Sequence, residues 1–158
     1  MKHDKLKSKK EYYFRQYFNQ SELIKTRRQI IEELNRTKKE FIENPVYLGA
    51  MQYSDMPHSS NVNTDVVLDK IIKRDERIEK IDKEIMYQVN ILNQDMYIFG
   101  KINEMLQDFN DNQNKVFELT YRDKMRRIEV AYMVGITERG VQYIKSEIFE
   151  KANFIQED

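Results

Sequence analysis

Six polar side chains, Thr137, Glu138, Arg139, Gln142, Tyr143 and Ser146, fall within ten consecutive positions, at spacings that share one side of a helix. Arg and Gln each offer paired hydrogen-bonding atoms, a match for guanine and adenine edges in a major groove. Arg122, Lys124, Arg126 and Arg127 gather just before the apolar stretch that precedes them, and Lys145 lies among them. Cations so placed suit the phosphates that flank a probed groove. The first set is therefore a candidate for base reading and the second for phosphate contact, with double-stranded DNA as the partner.

Other chemistry has little to work with. The 158 residues contain no cysteine, which removes disulfides, thiolate metal sites and cysteine nucleophiles, and a reducing, cytoplasmic setting is expected. The only histidines, His3 and His58, lack a His-x-x-x-His spacing or a Cys partner, so no metal is expected, and Asp55 and Ser59 read as loop-ordering residues. No glycine-rich phosphate loop and no acid/base constellation is visible, so neither an enzyme nor a cofactor is expected. No window approaches the roughly 20 apolar residues of a membrane span, and the basic N-terminus has no apolar stretch behind it to make a signal peptide. Tyr12, Tyr13, Phe14, Tyr17 and Phe18 form an aromatic cluster. It reads as a hydrophobic plug or self-association patch in preference to a platform for stacked bases.

The elements that must position these side chains are helical. Residues 5–43 hold no proline or glycine, and Tyr17, Ile24, Ile31, Leu34 and Phe41 trace one face, which predicts a single long helix ended by Asn44-Pro45. Residues 44–64 carry both prolines and read as a loop. Asn63 or Thr64 then caps a second helix to about Asn110. Along it Ile71, Ile78, Ile85, Leu92, Phe99 and Leu106 recur every seven residues, with Ile81, Val89, Met96 and Ile102 as a second row, and Gly100 is a possible bend. A sustained seven-residue repeat means a seam against another helix. Charge names the mate. Residues 1–39 hold 12 Lys and Arg against 5 Asp and Glu, whereas residues 40–114 hold 7 against 14, so a formal net charge of zero conceals two opposed arms. An antiparallel hairpin follows, closed within one chain or between two.

Residues 111–158 complete an all-α chain: a coiled-coil-like hairpin over 1–110, then a helix-turn-helix unit. Val116, Phe117 and Leu119 suggest a short apolar helix, Ile128, Val130, Ala131 and Val134 a second, and Val141, Ile144 and Ile148 a third capped by Thr137. Ala131 is small enough for two helix backbones to cross. Gly135 tolerates the positive φ of a tight turn. Val130, Ala131, Val134, Ile136, Val141 and Ile144 fill the core that such a module requires.

The stretch VFELTYRDKMRRIEVAYMVGITERGVQYI resembles region four of bacterial sigma factors, which reads the upstream promoter element. The segment LGAMQYSDMPHSSNVNTD, set ahead of a long helix, resembles small phage transcriptional regulators of the ArpU and RinA kind. The resemblance covers about residues 44–150. It implies an activator of late or packaging genes in phages of low-GC Gram-positive bacteria. No promoter-melting region accompanies it, so a sigma factor itself is not implied. The expectation is a sequence-specific DNA-binding regulator acting as a homodimer. The hairpin would supply dimerisation, a contact for host RNA polymerase, or both. The competing expectation is a helical interaction protein, such as an adaptor or a small DNA-packaging subunit.

Overall fold

The computed structural model describes residues 2–43 and 64–156, with side chains described over 6–43 and 68–156. The loop expected over 44–64, with Asn44-Pro45, Asp55, His58, Ser59 and Asn63, therefore falls almost wholly outside the described residues, as does the side chain of His3. All described elements are helical: α1 (Lys2–Tyr17), α2 (Gln20–Glu43), α3 (Thr64–Gln107), α4 (Asp111–Phe117), a π-helical turn (Glu118–Arg122), α5 (Arg127–Val134) and α6 (Glu138–Lys151).

The first stretch is not the single helix expected. It breaks at Phe18 and Asn19, where the Asn19 amide donates to the Gln16 carbonyl at 2.9 Å and Leu23 resumes the helical pattern onto Asn19. No proline or glycine causes this. The break falls where Phe18 leans on Phe117, with ring centroids 5.7 Å apart. Tertiary packing sets the boundary.

The chain groups into two compact units, one of residues Met1–Lys25 with Asn93–Asp158 and one of Thr26–Leu92. The expected boundary at residue 110 is the junction of α3 and α4 and lies inside the first unit. In the second unit α2 and α3 pair as a hairpin. Ile31, Leu34 and Phe41 on one side and Ile71, Ile78, Ile81 and Ile85 on the other are half-buried along the seam. An ion pair of 2.6 Å from Lys38 to Asp82 spans it. None of the unit's described residues is fully buried, because two helices cannot enclose a core.

The first unit has the core. Along the last turns of α3 the expected rows persist in the buried Phe99 and Ile102 and the half-buried Leu106, and Ile98 and Met105 widen them into a broad buried face that Phe109, just past the helix, extends. This is helical periodicity rather than a coiled-coil seam. Met96, expected on the seam, is 44% exposed, and its neighbour Asp95 is buried in its place, accepting from the Tyr13 hydroxyl at 3.3 Å. The helix runs on through Gly100 without interruption. The aromatic cluster of α1 closes this core. Phe14 is fully buried against Phe117, Tyr121 and Phe149, at centroid distances of 5.3, 5.1 and 5.6 Å. Tyr13 and Phe14 are thus unavailable to stack on bases.

A second, adjoining cluster belongs to α4, α5 and α6: Val116, Val130, Ala131 and Val141, edged by Val134, Ile136 and Ile144. Ala131 is buried here, as its small size predicts. Ala131→Leu is expected to overpack this crossing and cost roughly 1–3 kcal/mol. An unchanged melting temperature would refute the close approach of α5 and α6.

Candidate nucleic-acid interface

The turn between α5 and α6 is built as the sequence requires. Gly135 caps α5 at φ 77°, and both its amide and that of Ile136 donate to the Ala131 carbonyl at 3.0 Å. Two amides converging on one carbonyl stop the helix within a residue. Thr137 then opens α6 with extended backbone, and its hydroxyl accepts from the Gly140 amide at 3.1 Å. The pair of helices is fixed from behind by α4. There Asn110 and Gln113 form a reciprocal cap, and the buried Gln113 donates to Glu147 at 3.1 Å.

The six base-reading candidates do not stand alike. Arg139 and Tyr143 project outward; Tyr143 is 67% exposed, and the carboxylate of Glu147 beside it pushes its phenol pKa up. Among the described residues Arg139 forms no ion pair. Gln142 and Ser146 are exposed but face a pocket shared with α1, and the Ser146 hydroxyl is spent on the Gln142 carbonyl at 3.1 Å. Glu138 is half-buried and accepts from Arg127 at 2.6 Å. Thr137 serves as the cap.

The phosphate candidates are more altered. Arg122 is neutralised by Glu118 and Asp123, both at 3.0 Å, and Arg126 by Glu129 at 2.9 Å. Glu129 also accepts from the Arg126 amide at 2.7 Å, anchoring the start of α5. Arg126 holds the Glu129 carboxyl below its usual range, and Arg122 does the same to Asp123. With Arg127 tied to Glu138, three of the four early cations carry their own counter-ions. Lys151, at the end of α6, folds back over the Phe109 ring at 4.9 Å. Among the described residues Lys124 and Lys145 have no ion-pair partner. Pairings of this kind depend on side-chain reach and turn geometry, so charge counted along the chain overstated the basic surface.

Sequence reasoning passed over two features. Tyr132 (87% exposed), Ile128 and Met133 (each 59%) form an apolar patch on the outer side of α5. Tyr132 and Met133 carry no sequence signal beyond failing the helical core pattern, and Ile128, which the apolar pattern of this helix included, stands outside the core. The other is the involvement of α1 in the C-terminal unit. Lys10 donates to the Phe149 carbonyl at 2.7 Å and Lys9 to the Gln156 carbonyl at 2.9 Å. Both lysines meet carbonyls at or beyond the last turn of α6, where cations are favoured.

No protein-family model matches the chain, and neither characterised proteins nor solved structures yield a significant match. Among the described residues no group of His, Cys, Asp and Glu could hold a metal ion, and no helix is long and apolar enough to cross a membrane.

Lys124 has a positive φ of 54°, the only such non-glycine residue described. Its conformation is one that glycine adopts without penalty. Lys124→Gly is expected to hold or raise stability by up to about 1 kcal/mol in denaturant unfolding. A loss of that size would show that the lysine side chain itself secures the loop.

Proposed function

We propose that α5 and α6 form a DNA-reading helix-turn-helix and that the chain is a sequence-specific double-stranded-DNA-binding transcriptional regulator. The observation that carries this is the αL turn at Gly135 with Arg139 and Tyr143 standing clear on the outer face of α6. A helix so presented can enter a major groove, where Arg pairs with guanine. The resemblance to ArpU- and RinA-like regulators supplies the setting: phage or prophage genes, with activation of late or packaging transcription. The half-buried seam of α2 and α3 is open to a second copy, and a homodimer would place two α6 helices on half-sites about one turn apart. The hairpin would also offer a surface to host RNA polymerase.

One observation favours a second reading, an adaptor that docks on another protein or a packaging subunit. Arg122, Arg126 and Arg127 are internally neutralised while the α5 patch around Tyr132 is apolar and exposed. The readings part on DNA. Selection from a random duplex library is expected to return one preferred sequence. At that sequence Arg139→Ala should cost about 1–3 kcal/mol, with much less lost on unrelated DNA. Equal losses on both duplexes would remove Arg139 from base reading, and failure to enrich any sequence would favour the adaptor.

A further inference from the structure

A pocket of about 490 Å³ in the first unit lies between α1, the π-helical turn and α6. Its cations are Lys7, Arg127 and Lys145, and the one acid on its wall is Glu11. Lys145 is half-buried with its chain over the Tyr121 ring, 5.6 Å from ammonium to centroid. Among the described residues neither Lys7 nor Lys145 has a hydrogen bond or ion pair. Burial pulls the Lys145 pKa down, with Lys7, Arg15 and Arg127 pushing the same way and Glu11 alone opposing. Arg127 is already paired with Glu138 at 2.6 Å, so the unmatched positive charge is that of Lys7 and Lys145, and two ammonium groups facing one recess are costly unless an anion supplies the difference.

The neutral groups in the wall fit the same guest. Thr120 lines the pocket, and its hydroxyl oxygen is buried with no hydrogen-bond partner. The π-helical turn that carries it is the kind of widened turn that recurs at functional sites. Gln142 and Ser146 add polar groups from α6. The pocket is also held in place: the bond from Lys10 to the Phe149 carbonyl pins α1 one turn from Lys7, and Phe14 is locked in the core on the same face of that helix.

We propose that this pocket binds a phosphate group through Lys7 and Lys145, with Arg127, held by Glu138, at its edge and the Thr120 hydroxyl as an added donor. The phosphate has two sources, a free phosphorylated small molecule or the backbone of a bound duplex. The volume lies in the range of small-ligand sites. The first source does not rest on DNA reading and the second does.

Two titrations of the full chain decide it. In the first, pyrophosphate is added without DNA and followed by calorimetry and thermal melting. Saturable one-to-one binding is expected, weakened at least tenfold in Lys7→Ala and in Lys145→Met. Without any anion, Lys145→Met should melt higher than the parent, since it keeps the packing on Tyr121 and removes the crowded charge. Lys7 is exposed, so Lys7→Ala serves if the other variant folds poorly. In the second, binding to random duplex is measured against salt, and Lys7→Ala should reduce the slope of log K by about one. Pyrophosphate binding lost in the variants assigns the pocket to a free phosphate. A reduced slope without pyrophosphate binding assigns it to the DNA backbone. Pyrophosphate bound equally by parent and variants, or no effect in either titration, overturns the proposal. A chain that binds no DNA at all still leaves the first titration decisive.

Discussion

The burial of Phe14 is the contact on which the first unit depends. One ring from the N-terminal helix fills the space between Phe117, Tyr121 and Phe149, so three later elements converge on a residue more than a hundred positions upstream. A core aromatic of this kind typically contributes several kcal/mol, since truncating Phe to Ala in a core costs about 3–5 kcal/mol. The helix-turn-helix pair has a small core of its own around Val130 and Val141, but the C-terminal half of α6 has none without α1 and α3. Ile148, Ala152 and Ile155 are buried in the larger cluster. The outer face of α6 is therefore presented by a scaffold built from both ends of the chain.

That dependence shapes the candidate site. Because α1 lies alongside α6, Gln142 and Ser146 look into a recess while Arg139 and Tyr143 look outward. One helix thus carries two polar surfaces with different chemistries. The outward surface has the bidentate donor that base edges require. The recess has crowded cations and an unpartnered hydroxyl. Acids close to Arg122, Arg126 and Arg127 limit how strongly the intervening loop can attract a polyanion.

What the sequence disclosed, it disclosed through local rules. Ala131, Gly135 and Thr137 were legible because a helix stop, a positive φ and an N-cap each demand particular residue types within a few positions. The seven-residue repeat of α3 was legible for the same reason, and its positions stay inward through Phe99 and Leu106. What the repeat does not announce is the widening of that face past Leu92, where Asp95, Ile98 and Met105 are buried and Met96 is not, because only the tertiary neighbours define it. The break at Phe18 and Asn19 lacks a proline or glycine to announce it. The pairing of Arg127 with Glu138 spans eleven residues and a turn, and the involvement of Lys7 and Lys10 with α6 spans most of the chain. Neither distance is covered by a spacing rule.

Amide hydrogen exchange on the full chain carrying Phe14→Ala tests the central contact most directly. If α1 completes the scaffold of α6, protection falls together in α1, in the π-helical turn and over residues 148–152. Loss confined to α1, with the amides of Ile148 to Ala152 as protected as in the parent, would mean that the helix-turn-helix stands on its own and that Phe14 merely covers it.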